Sequence, residues 1–137
     1  SFSDTDRRGH AGDWFGYLAQ IEAADELVWS TWNYLQSDPY YAGETFLFVT
    51  TDHGRHDDQH GGFESHGCSC EGCRRLFFLA LGPGVRQDYV VPVEYLHTQR
   101  DLCETIGDIL DLPTPYSQGT ALSEMFEPVT GIKAATP

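Results

Sequence analysis

The chain has 137 residues and a formal net charge of −13, from 8 Lys and Arg against 21 Asp and Glu. With no basic cluster able to track a phosphate backbone, nucleic acid and anionic membrane are excluded as main partners, and no apolar run nears the ~20 residues of a membrane-crossing helix. The length is one domain's worth, and since a chain of about 150 residues buries roughly 68–70% of its unfolded surface, a single domain over residues 1–137 with a real core is expected.

The chain opens at Ser1 with polar residues and no initiating Met, which suggests a fragment, and no basic region or hydrophobic signal core precedes them. Localisation is not written in the sequence. The first chemistry-bearing segment is "DTDRRGH", residues 4–10. Asp6 and His10 stand four apart, so a single turn brings a carboxylate and an imidazole together, and Gly9 removes a Cβ that would hinder that turn.

Residues 13–36 repeat apolar groups at Trp14, Tyr17/Leu18, Ile21, Ala24, Leu27/Val28, Trp32 and Leu35. That is the helical period, with Asp13 as N-cap and Asp38-Pro39 and Gly43 as the stop. "TFLFVTT", residues 45–51, is apolar and β-branched nearly throughout and suits a strand covered on both faces. It runs into "DHGRHDDQHGGFESHGCSCEGC", a loop crowded with imidazoles and carboxylates. Asp52 and His53 would face opposite ways on a flat strand, but at a strand end the backbone can bend both toward one ion, and Gly54 fits such a bend. His56 and His60 read as solvent-exposed.

Three of the four cysteines, Cys68, Cys70 and Cys73, lie in "CSCEGC", while Cys103 stands alone. A structural disulfide or free thiols is the plain reading; a zinc knuckle and a redox pair are the alternatives. A second strand, "RLFFLALGPG", closes at Gly82-Pro83-Gly84. Leu102, Ile106, Ile109 and Leu110 mark one face of a second long helix, stopped by Pro113. The tail "GIKAATP" reads as a frayed terminus. This alternation of helix and strand indicates an α/β sandwich, in which ligands gather beyond the carboxyl ends of strands.

The ordered set "DRRGH", long helix, "FVTTDHG", "SHG", "LFFLALGPGV" and "HTQRDLCETIGDILDLPTPYSQGTAL" resembles the alkaline phosphatase superfamily of phosphatases, phosphodiesterases, mutases and sulfatases. The resemblance runs over roughly residues 4–126. It implies a three-layer α/β/α sandwich of which this chain is the C-terminal part. It further implies that Asp6, His10 and His66 bind one metal ion, with His60 as rival for the third place, and that Asp52 and His53 bind a second. Two divalent ions, zinc first and manganese second, suit such ligands and can clamp the attacking and leaving oxygens of an in-line displacement. The crowded carboxylates become favourable among those positive charges.

The substrate implied is a small anionic phosphoric or sulfuric ester. The histidine-rich ligand set favours the phosphoryl branch, since a single calcium with oxygen ligands is the commoner sulfatase pattern. The superfamily's upstream metal-binding Asp and its hydroxyl nucleophile have no counterpart here, so the nucleophile is expected outside this chain and the chain alone is expected to be inactive. Arg55 is a candidate substrate contact, with pairing to Asp57 or Asp58 as the alternative. "CSCEGC" departs from the superfamily pattern and puts the substrate rim in doubt rather than the ligands. A non-catalytic metal-binding or interaction remnant of the fold and a small Cys/His zinc module are the rival readings. An uncovered sheet edge would invite association, but the oligomeric state is not set by the sequence.

Overall fold

A computed structural model describes residues 3–92 and 94–128. The tail at 131–137 lies outside the described residues. The chain divides into two compact units, Ser1–Pro83 and Gly84–Pro137.

The first unit opens with α1, Ser3–His10, which carries Asp4 and Asp6 in its first turn and Arg7, Arg8 and His10 in its last. That order complements the helix dipole at both ends. Asp13 then does two things at once. It caps α2, Trp14–Ser37, by accepting from the Gly16 N–H at 2.9 Å, and it pairs with Arg8 at 2.6 Å, tying α1 to α2. Asp38 ends α2 in extended backbone. The rings of Trp14 and Tyr17, one turn into α2, pack on Phe63 with centroids 5.0 and 5.9 Å away.

Strands β1, Leu47–Thr50, and β2, Phe78–Leu81, form a two-stranded antiparallel sheet in the register Leu47 to Leu81 and Thr50 to Phe78. Their near-continuous apolar sequence suggests cover on both faces. In the structure they are mostly half-buried, with Thr50 and Phe78 exposed, and Leu27, Val28 and Thr31 of α2 line an open groove of about 440 Å³ with β1. No residue of α2 is fully buried, and Phe15, Trp29 and Tyr34 are 84, 64 and 62% exposed.

Between the strands runs the histidine loop, followed by the short helix α3, Glu71–Arg74, capped by Cys70. Two glycines lock this segment to the end of β1. A Cβ on Gly54 would lie 2.0 Å from the Gly72 carbonyl oxygen, and one on Gly72 would lie 2.3 Å from the Arg55 carbonyl oxygen. Backbone therefore packs on backbone, and the Gly54 N–H donates to the Cys73 carbonyl at 2.9 Å. The cysteine segment is thus part of the support for the strand end.

In the second unit α4 spans Gln99–Leu110 and holds Leu102, Ile106 and Ile109 on its apolar side. Its start is fixed by Asp101, whose carboxylate accepts from the Thr98 and Thr120 N–H groups at 2.7 and 2.9 Å. The helix stops earlier than Pro113 suggests, at Asp111, which adopts left-handed backbone (φ 50, ψ 44) so that the Leu112 N–H closes on the Gly107 carbonyl at 2.9 Å. Thr105, only 1% exposed, donates to the Asp101 carbonyl and accepts from the Leu122 N–H. Leu122 and Met125 are buried beside it. Among the described residues no helix is long and apolar enough to cross a membrane.

Candidate metal centre

Helix α1 presents Asp6 and His10 one turn apart on the same face, and the loop after β1 returns His66 to meet them. His10 Nε2 and His66 Nε2 are 3.1 Å apart, and each lies 3.5 Å from Asp6 Oδ1. Four-coordinate zinc holds nitrogen and oxygen ligands about 2.0–2.1 Å away, which makes the edge between two ligands about 3.3 Å. The three atoms are therefore spaced as three corners of one such tetrahedron. Two imidazole nitrogens at this distance can share one proton as an N–H···N bond, or both can turn their lone pairs to one ion. Burial, reinforced by the nearby His53, pushes the His66 imidazole below its ordinary value of 6.5, a direction that favours the neutral ring over the charged one.

Arg55 holds this group in place. Its guanidinium donates to Asp6 Oδ1 at 2.5 Å, to the Asp6 carbonyl at 3.1 Å and to the Phe63 carbonyl at 3.2 Å, while lying over the Tyr17 ring. The side chain is only 11% exposed and its ion-pair partner is Asp6 rather than the Asp57 or Asp58 that the sequence had suggested. Gly9 has a reason beyond the turn: a Cβ there would sit 2.4 Å from the Arg55 guanidinium carbon.

His53 stacks on His66 with ring centroids 3.8 Å apart. Its Nδ1 is 2.9 Å from the Gly54 carbonyl; donation there leaves Nε2, 3.7 Å from Asp52 Oδ2, with its lone pair available. Asp52 is largely exposed. The structure thus brings Asp52 and His53 together beside the triad as a pair of donors, without a third ligand joining them among the described residues. His60 goes elsewhere: it bonds Asp57 at 2.5 Å and stands in a separate group with Cys70. Through this bond His60 lowers the pKa of the Asp57 carboxyl and Asp57 raises that of the His60 imidazole.

The three clustered cysteines are free thiols, with Cys70 and Cys73 buried. Cys68 Sγ and Cys73 Sγ lie 3.8 Å apart. Backbone N–H groups point at sulfur, Cys70 N to Cys68 Sγ at 3.3 Å and Cys73 N to Cys70 Sγ at 3.5 Å. Burial opposes ionisation of Cys70, yet the Cys73 N–H and the Cys68 thiol bring it down to about 7. Cys68 is pushed up to about 11: the Cys70 N–H favours its thiolate, but its hydrogen bond with the Cys70 sulfur, together with burial, outweighs that. His56, read from sequence as solvent-exposed, is instead half-buried with both ring nitrogens shut off from water and unpartnered. It joins Cys68 and Cys73 with all ligand atoms within 4.8 Å of one another. The signal that could have found it was the density of soft ligands just downstream.

No family model and no solved structure matches the chain. The likeness that is found is to a sulfatase. Over 96 residues the chain is 32% identical to "Sulfatase ppz1" of Metarhizium majus (strain ARSEF 297), a match that takes in 70% of this chain and 22% of that protein. The matched stretch is therefore about a fifth of the length of the curated relative.

Proposed function

We propose that this chain forms the metal-binding part of a metal-dependent ester hydrolase of the sulfatase-like branch of the alkaline phosphatase superfamily, within a three-layer α/β/α sandwich. The observation that carries this is the spacing of Asp6, His10 and His66 at tetrahedral edges, with the Asp52 and His53 pair stacked alongside. The likeness to a sulfatase agrees with it. Divalent ions held by the triad and by the pair, zinc before manganese, would supply Lewis acidity toward a tetrahedral anionic ester.

The protein's own residues do the rest of what this part can do. Arg55 keeps Asp6 turned to the two histidines, the Gly54 carbonyl sets the His53 ring, and burial favours the neutral His66 ring. The attacking hydroxyl and the remaining donors of the Asp52 and His53 pair belong, in this reading, to a portion of the fold other than these residues. Sulfate is favoured as the leaving anion by the relative's name and phosphate by the imidazole-rich ligand set, and both esters present the same charged tetrahedral oxygens.

The test is metal content of the purified protein, wild type beside Asp52→Ala and His66→Ala, with hydrolysis of p-nitrophenyl sulfate and p-nitrophenyl phosphate read on the same samples. Bound metal should fall on each substitution. Content unchanged in both variants would sink the reading, and whichever ester is turned over assigns the branch.

A further inference from the structure

The structure carries a second cluster of metal-ligating atoms that the ester-cleaving site does not use. His56 is the anomaly. A buried imidazole with both nitrogens unsatisfied costs roughly 1–3 kcal/mol per group, and native proteins seldom leave such groups without a partner. Here both nitrogens are inaccessible to water and without a hydrogen bond, and the ring stands within ligand distance of two sulfur atoms. A soft, thiophilic cation is the partner that this environment fits, because the groups facing the ring are thiols rather than carbonyls or carboxylates.

The dimensions agree. Zinc binds thiolate at about 2.3 Å, so two thiolates on one tetrahedral ion are about 3.8 Å apart. The Cys68 and Cys73 sulfurs are separated by 3.8 Å. The backbone N–H groups of Cys70 and Cys73 already point at Cys68 and Cys70 sulfur, the arrangement that stabilises thiolate charge in a closed site. The sequence Cys68-x-Cys70-x-x-Cys73 wraps the short helix α3 and so delivers three sulfurs from one turn of chain.

We propose that His56, Cys68 and Cys73 form a structural zinc site, separate from the triad of Asp6, His10 and His66, that fixes the loop following β1, with Cys70, whose sulfur groups with Asp57 and His60 in this structure, turning in as the fourth ligand when the ion binds. On binding, each thiol gives up its proton to solvent and the imidazole ligates as the neutral ring. With Cys70 turned in, all four positions would be filled by protein, so the role of the site is to hold structure and not to activate a ligand. What it holds is the Gly54 and Gly72 interlock, and through it the backbone that carries Asp52 and His53.

The test loads the whole chain with cobalt(II) in place of zinc and reads the thiolate-to-cobalt charge-transfer band together with the intense visible bands of tetrahedral cobalt. Wild type, Asp52→Ala and His66→Ala should all show the sulfur band. Cys73→Ser and His56→Ala should lose it along with one equivalent of zinc. His56→Cys, which keeps a soft ligand at the position, should retain the zinc and strengthen the band, so a variant that merely fails to fold does not decide the matter. A wild-type protein without the sulfur band would overturn the proposal, as would a Cys68–Cys73 disulfide after purification, or cysteines alkylated equally fast with and without zinc. These readouts follow sulfur ligation alone, so they stand or fall independently of metal loss in His66→Ala, which judges the ester-hydrolase reading.

Discussion

Arg55 occupies the position from which a single side chain governs the triad, since it is bonded to the oxygen of Asp6 that faces both histidines. Replacing a partner of a metal ligand commonly costs 10–100-fold in affinity. Arg55→Ala is therefore expected to weaken metal binding by about that factor, measured by competition with a chromogenic chelator, while Arg55→Lys recovers only part because an ammonium cannot span Asp6 and Phe63 together. His60 gives a second residue-scale expectation. Its bond to Asp57 raises its pKa above 6.5 and lowers that of Asp57 below 3.8. The His60 share of the stability is present below 6.5 and lost as pH rises through its folded value; the Asp57 share is present above 3.8 and lost as pH falls through its folded value. The pair thus stabilises most between those limits. An NMR titration should place the His60 midpoint above 6.5 in wild type and back near 6.5 in Asp57→Asn.

At the scale of elements, the end of β1 and the start of α3 are one construction. Adding a methyl group at Gly54 drives it into the Gly72 and Arg75 carbonyls, neither of which can rotate away. Overpacking of this kind costs typically 1–3 kcal/mol, so Gly54→Ala should lower the urea midpoint by about 1 M, since small proteins lose about 1–3 kcal/mol per molar urea. Gly9→Ala meets the tip of a side chain instead and should cost less stability while still disturbing the Arg55 contact to Asp6. Helix α2 owes its start to Asp13, and Asp13→Ala, which removes both the cap and the Arg8 pair, should cost about 1 kcal/mol. The sequence made these elements readable where periodicity and caps were involved: Asp13, the 14–37 helix and both strands lie where the apolar spacing and turn residues put them. It could not show that Gly54 and Gly72 touch, because the reason for each glycine is a backbone eighteen residues away. Nor could it show Asp111 ending α4 ahead of Pro113, since a left-handed Asp competes with a proline as a stop only when the local turn closes.

For the molecule as a whole, spacing within one helix paired Asp6 with His10, while His66 was expected beside them only through the resemblance to the alkaline phosphatase superfamily. His56 was not legible, because burial of a loop residue depends on what folds over it. Composition promised a real core, whereas the buried apolar residues among those described are Cys70, Cys73, Leu122 and Met125. Large hydrophobic side chains such as Phe15, Trp29 and Tyr34 lie instead on the exposed surface of α2. That surface shares its chain with a net charge of −13, and the two features push in opposite directions in solution. Mutual repulsion keeps copies apart only over the range that counter-ions allow, about 30 Å at 0.01 M ionic strength and about 3 Å at 1 M. Light scattering should therefore find this chain dispersed in dilute buffer and associating as sodium chloride is added, the reverse of an assembly held by ion pairs, with the aromatic stripe of α2 acting like the oily side of an amphiphile whose headgroups have been shielded.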